Sequence, residues 1–232
     1  MASRPVFIPL RTDKLLVETK MVEFTWFPGM HFSQKQKSIK SLHDEASHKL
    51  GLSRILEIST KSPEQLGVSL SAFSLFFTSK EIEKEYFLES IYQSSKVFEN
   101  GGPFRDIRDK KPIDAKRDTR LKSSGRLIKF NSARVDWELE PKTAFYDWLY
   151  LNTIHSRSNL SEEIMQYDAF TDIEFNPQKS VNCQAYSAAL FVALNARGLV
   201  TTALTSKQMF LATLSEFEPG ETQAQSDNIS LF

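Results

Sequence analysis

A carboxylate, an amide and an amine recur at Glu89, Gln93 and Lys96 in the run Glu89-Ser-Ile-Tyr-Gln-Ser-Ser-Lys-Val-Phe98. Read as a helix, positions i, i+4 and i+7 share one face, and Phe87, Leu88, Ile91 and Phe98 gather on the other. In a pocket such a trio has the parts for covalent and acid–base chemistry. The amine can attack or form an imine, the carboxylate can move protons, and the amide can orient a substrate. On a solvated helix the same trio is only a polar stripe with a charge pair. A Gly101-Gly-Pro-Phe104 break follows.

Four other groups of residues offer chemistry. Arg105 to Lys129 holds ten Lys/Arg against four Asp, a net of 10 − 4 = +6. It is the candidate anion-facing surface, with Lys116 and Arg117 as inward-facing cations, or else a solvated charged face. Trp26 and Phe27 precede Ser33-Gln-Lys-Gln-Lys37, where a ring can stack on a base while Lys35 and Lys37 take phosphates. The plain alternative is a hydrophobic strand followed by a solvated helix start. Asp168 to Pro177 carries Asp172 and Asn176 with two Phe in a loop, a setting for function or for turn chemistry. Asn182 and Gln184 open an apolar helix whose first N–H groups can meet an anion or a sugar hydroxyl.

The elements that must position these residues follow from pattern. Arg4–Leu10 reads as a short strand or arm, and Val22–Phe27, Arg54–Ser59 and Leu66–Phe77 as strands forming a small N-terminal sheet. Helices are expected over Ser33–Leu50, Lys80–Glu99, Asp114–Leu127, Pro141–Thr153, Ser161–Tyr167 with Ser161 as N-cap, Ser180–Ala196 and Ser206–Ser215. The expected class is α+β and predominantly helical. One domain spans 21–215, after an N-terminal arm at 1–20 and before a polar, disordered tail at 216–232.

Composition narrows the function classes. With 29 basic and 29 acidic residues among 232, the chain is no uniformly basic nucleic-acid coat. Its single cysteine, Cys183, excludes an internal disulfide and suits a reducing compartment. That cysteine reads as a small core residue, since no His lies near it in sequence. Four His and one Cys make no spaced ligand set, so neither a metal nor another cofactor is expected. No signal-peptide pattern and no membrane-length apolar run is seen, which gives a cytoplasmic expectation and no membrane partner. Phosphate-loop, dinucleotide and nucleophile-elbow motifs are missing.

Glu89-x-x-Tyr92-Gln93-x-x-Lys96-x-Phe98 resembles the central motif of NADAR domains, which have a YbiA-like fold. Leu70-Ser-Ala-Phe73, Asp114-Ala-Lys-Arg117, the stretch Trp137–Tyr150 and Ser180-Val-Asn-Cys-Gln184 are similar, in order, to further motifs of that family. Ala72 departs from it by replacing an Asn, so no ligand contact is assigned there. Pro28-Gly29, Ser33–Leu42, Ser94–Phe98 with Gly101–Phe104, Glu140–Leu149 and Tyr167–Pro177 resemble the NADAR antitoxins encoded beside DarT-type DNA ADP-ribosyltransferase toxins.

The resemblance implies a hydrolase that removes ADP-ribose from guanine bases of nucleic acid, paired functionally with such a toxin. Lys96 would form an imine with the ribose, and Glu89 would move protons. Gln93, Tyr92, Lys116, Arg117, Asp172, Asn182 and Gln184 would hold the ADP-ribose, and Trp26, Lys35 and Lys37 the nucleic acid. Two alternatives stay open: a non-catalytic module that binds ADP-ribose or the toxin, and an N-glycosidase for another small metabolite.

Overall fold

A computed structural model of the chain describes residues 1–29, 31–79, 83–176 and 182–218. Its centre is a sheet. Strand β1 (Ala2–Pro9) pairs along its length with antiparallel β2 (Val17–Phe24). Helix α1 (Phe32–Leu50), strand β3 (Ile55–Glu57) and helix α2 (Gln65–Ser69) follow. An antiparallel hairpin of β4 (Phe76–Ser79) and β5 (Lys84–Phe87) leads into α3 (Leu88–Ser94) and β6 (Lys96–Phe98). A 3-10 turn at Arg105–Asp109 and two short helices come next, α4 (Pro112–Lys116) and α5 (Arg120–Ser123). Strands β7 (Leu127–Ser132) and β8 (Val135–Trp137) complete a three-stranded sheet in the order β6-β7-β8. Helices α6 (Ala144–His155) and α7 (Ser158–Glu163) precede β9 (Ala169–Thr171). The last helices are α8 (Gln184–Ala196), α9 (Val200–Ala203) and α10 (Lys207–Ser215).

The central sheet runs β2-β1-β9-β3, with β3 and β9 parallel. Side chains alternate across a strand, so neighbours serve opposite faces. Val6, Ile55 and Ala169 pack with Ile39, Leu42 and Ala46 of α1. Phe7, Leu56 and Phe170 face the main core, built on α8 and α6. Every residue of α8 from Ala185 to Leu194 is buried, which is what a helix apolar on all sides requires. Gly51 caps α1 at φ 69°, in the left-handed region, and its N–H reaches the Ser47 carbonyl (3.0 Å).

Several expectations are corrected. Residues 1–20 are no separate arm: β1 and the start of β2 lie in the central sheet, with Val6 and Phe7 fully buried. Because β1 meets β9 only at Phe7–Phe170, Pro5 and Pro9, which lack a donor, are tolerated there. Leu66–Phe77 is not a strand but α2, a turn and the start of β4. The small residues responsible include Gly67, where a Cβ would stand 2.0 Å from the Glu57 carbonyl oxygen. Asp114–Leu127 is broken at Asp118, whose carboxylate accepts from the Arg120 backbone N–H (3.0 Å) and Nε (2.9 Å). Ser161 lies inside α7 rather than capping it. Helix covers 44% of the described residues and strand 20%, so the fold is mixed α and β rather than predominantly helical. Of the expected tail, residues 216–218 are ordered: the Arg197 guanidinium lies 4.8 Å from the Phe217 ring centre and Glu218 N–H reaches Lys14 O (3.1 Å). The remainder from residue 219, and the expected helix start at Ser180, lie outside the described residues. Among the described residues no helix is long and apolar enough to cross a membrane.

One buried carboxylate strains this core. Asp147 of α6 accepts from Ser187 Oγ of α8 (2.5 Å), yet burial lifts its pKa to about 6, with the Ser187 and Thr143 hydroxyls opposing. For an acid raised in the folded state, the favourable contribution is complete below the unfolded value near 3.8 and is lost as pH rises through about 6. Asp147→Asn is therefore expected to stabilise the protein at pH 8 by about 2 kcal/mol. The advantage should vanish near pH 4, and chemical denaturation of both proteins at the two pH values measures it.

Candidate active site

Lys80–Glu99 is not one helix. The chain enters as β5, turns into α3 at Leu88 and leaves it after Ser94. Ser94 Oγ and Ser95 Oγ both donate back to the Ile91 carbonyl (2.9 and 2.8 Å), which closes the helix. The backbone then pairs with β7, Lys96 opposite Phe130 and Val97 opposite Lys129. Glu89 and Gln93 thus share a face of α3, while Lys96 arrives from a strand. Gly102, at φ 83°, backs that strand: a Cβ there would lie 2.5 Å from the Lys96 carbonyl oxygen.

Lys96 still comes within range of the Glu89 charge. Glu89 and Gln93 are both buried, and Gln93 Nε2 donates to Glu89 Oε1 (2.9 Å). The half-buried Lys96 amine stands 5.1 Å from the centre of the Tyr92 ring. Loss of solvation lowers its pKa to about 8; the Glu89 charge opposes this and Lys116 adds to it. Lys116 Nζ lies 4.0 Å from Glu89 Oε1 and 5.3 Å from the Phe73 ring centre. A carboxylate and two amines therefore share one electrostatic neighbourhood.

Tyr92 forms the wall. Its ring packs at 5.3 Å on Phe130 and, edge-on, at 5.3 Å on Tyr146, and its hydroxyl accepts from Asn182 Nδ2 (2.7 Å). Burial and then the Glu89 charge push the Tyr92 phenol upward. Tyr146, which sequence reading passed over, is raised by the same two causes. Its place beside an aromatic run in α6 resembles ordinary core packing, so no signal marks it.

Asp172 and Gln184 come together, but on each other. Gln184 Nε2 donates to Asp172 Oδ2 (2.9 Å) and to the Ile58 carbonyl (2.7 Å), and its Oε1 accepts from Ala72 N–H (2.8 Å). Asp172 Oδ1 accepts from the Glu174 and Phe175 backbones (3.0 and 3.1 Å). The Ala72 carbonyl in turn accepts from Glu89 N–H (3.2 Å). These two side chains therefore position the Glu89 backbone. Glu57, also missed, is wholly buried, and its carboxylate accepts from Thr171 Oγ1 (2.6 Å) and Ile173 N–H (2.8 Å). Burial raises both acids; the Glu57 charge adds to this at Asp172, which reaches about 8, and the Glu174 charge adds to it at Glu57. A lone acid in the apolar strand Ile55-Leu-Glu-Ile58 was the available signal.

Lys116 and Arg117 are exposed at the end of α4, not inward-facing. Trp26 lies apart, against the α1 side of the sheet. Its ring has Lys35 Nζ at 4.5 Å and the Arg4 guanidinium at 5.5 Å, and Lys37 is exposed. Among the described residues no group of three or more His, Cys, Asp or Glu could hold a metal ion.

The model of one protein family, described as DarT1-associated NADAR antitoxin, matches residues 2–224. The chain belongs to this family. The match takes in β1, in keeping with its place in the central sheet of this NADAR antitoxin. No curated protein matches it by sequence.

Proposed function

We propose that the protein hydrolyses the N-glycosidic bond between ADP-ribose and the exocyclic nitrogen of guanine in nucleic acid, reversing the modification left by a DarT-type toxin. The observation that carries this reading is a Lys96 amine seated 5.1 Å from the Tyr92 ring centre, desolvated and within range of the charge of the buried, Gln93-bound Glu89. Such a glycosylamine opens when the ring oxygen leaves the anomeric carbon and the guanine nitrogen becomes an iminium. The neutral Lys96 amine adds to that carbon. Glu89 takes a proton from the incoming nitrogen and returns one to the departing guanine amine. Water then adds to the protein imine, and ADP-ribose and free Lys96 are regenerated.

The environment suits each step. With a pKa of about 8, roughly a tenth of Lys96 is neutral at pH 7, some 300-fold more than for an ordinary lysine. Gln93 holds Glu89 and has its amide oxygen for a ribose hydroxyl. Lys116 and Arg117, on the exposed side of Glu89, meet the pyrophosphate. Tyr92 and Asn182 close the apolar wall, and Asp172 and Gln184 act through the backbone of Glu89.

The deciding experiment follows an oligonucleotide bearing ADP-ribosylated guanine by mass spectrometry after incubation with the pure protein. Unmodified strand and free ADP-ribose in equal amounts are expected. Retention of the adduct on the strand, with the protein bound, would mean sequestration instead of hydrolysis.

A further inference from the structure

The ten basic side chains of Arg105–Lys129 divide into two sets. Arg105 bonds the Asn131 carbonyl (2.8 Å), Lys110 and Arg120 share Asp118 (2.6 and 2.8 Å), Arg126 meets Glu99 (3.1 Å) and Lys129 meets Asp136 (2.7 Å). Lys116 stands by Glu89. Arg108, Lys111, Arg117 and Lys122 remain, all exposed and without an acid or carbonyl partner among the described residues. Asp114 is the one acid of the stretch with no cation on it among the described residues.

The free cations are placed in order. Arg108 lies on the 3-10 turn, Lys111 at the N-cap of α4 and Arg117 at its C-cap, and turn and helix both pack against α3. They therefore border the helix that carries Glu89. Arg108 lies 4.4 Å from the Tyr86 ring centre, and opposite Tyr86 on the hairpin stands Phe77, 39% exposed. Unpaired like charges repel one another and favour a polyanion. An aromatic face beside cations is how proteins hold a single strand, the base on the ring and the phosphates on the amines. The Trp26 surface differs, because its ring is already covered by the protein's own Lys35 and Arg4.

We propose that the polynucleotide backbone of the substrate crosses Arg108 and Lys111, with a base against Phe77, and reaches Glu89 from the side of Lys116 and Arg117. The proposal rests on the hydrolase reading above, but its first test does not need turnover. A labelled, unmodified single-stranded oligonucleotide is titrated against the parent and the Arg108→Gln/Lys111→Gln variant over a range of salt. The variant should bind about tenfold more weakly at low salt. The slope of log affinity on log salt should shrink by about 1.4, two phosphate contacts at about 0.7 each. Lys111→Gln alone, at a side chain with no bonding partner among the described residues, should remove about half of that slope. Unchanged slopes, a parent that does not bind, or a loss seen with Lys35→Gln/Lys37→Gln instead would overturn the surface. The second test compares kcat/KM on an ADP-ribosylated strand with that on ADP-ribosylated guanosine. The strand-to-nucleoside ratio should fall about tenfold in the double variant, and an unchanged ratio overturns the proposal. A parent that binds the strand with the stated salt response yet turns over neither substrate supports the surface and removes the hydrolase reading.

Discussion

Lys96→Ala is expected to lower turnover of ADP-ribosylated guanine by more than about 1,000-fold, the order lost when a covalent nucleophile is removed. The fold should survive, because Lys96 is tied into the sheet through its backbone pairing with Phe130 and, among the described residues, its amine forms no ion pair. Thermal melting of the variant checks this. Borohydride added during turnover by the parent should trap ADP-ribose on Lys96, read by peptide mass spectrometry; an adduct on Lys116, the other amine by Glu89, would move the nucleophile there. The reaction needs the neutral amine, and burial holds its pKa at about 8. The rate should therefore rise about tenfold per pH unit below 8 and level off above it. A flat profile together with an active Lys96→Ala variant would rule out the imine route.

Glu89→Gln should cost about 100- to 10,000-fold, the range for a positioned acid–base group. Its amide oxygen can still accept from Gln93, so the geometry of α3 is kept while the proton carrier is lost. A second signature separates this from damage to the fold. The Glu89 charge holds the Lys96 pKa up, whereas burial and Lys116 press it down. Without that charge the rising limb of the pH profile should move to lower pH even as the plateau falls. The plateau and limb are read from kcat against pH for both proteins. A variant whose limb stays put would show that Glu89 and Lys96 do not sense each other as their placement requires.

The pairing of Glu89 with Gln93 was legible from i, i+4 spacing, since both residues lie on α3. The element beneath Lys96 was not. Its segment has helix-permissive residues, and what ends the helix is a pair of serine hydroxyls turning back to Ile91 and a strand partner thirty-odd positions later. Strands β7 and β8 were hidden because Lys129, Asn131 and Asp136 break the apolar alternation while pairing among themselves across the sheet. The count of charges from Arg105 to Lys129 could not say which of them cancel. Asp172 and Gln184 carry the atoms of a binding site in any reading of sequence. Only three-dimensional placement shows those atoms taken up by Ile58, Ala72 and each other.

The bond from Gln184 to Ala72, and from Ala72 to the backbone of Glu89, also sets an order in time. A ribosome releases Glu89 long before it makes α8. Until Gln184 emerges, the turn that holds the carboxylate has lost its brace, and Asn182 has not yet reached Tyr92. On the hydrolase reading proposed above, neutralising capacity therefore belongs to finished chains, and a chain cut short before α8 would count toward the amount of protein in the cell but not toward its protection.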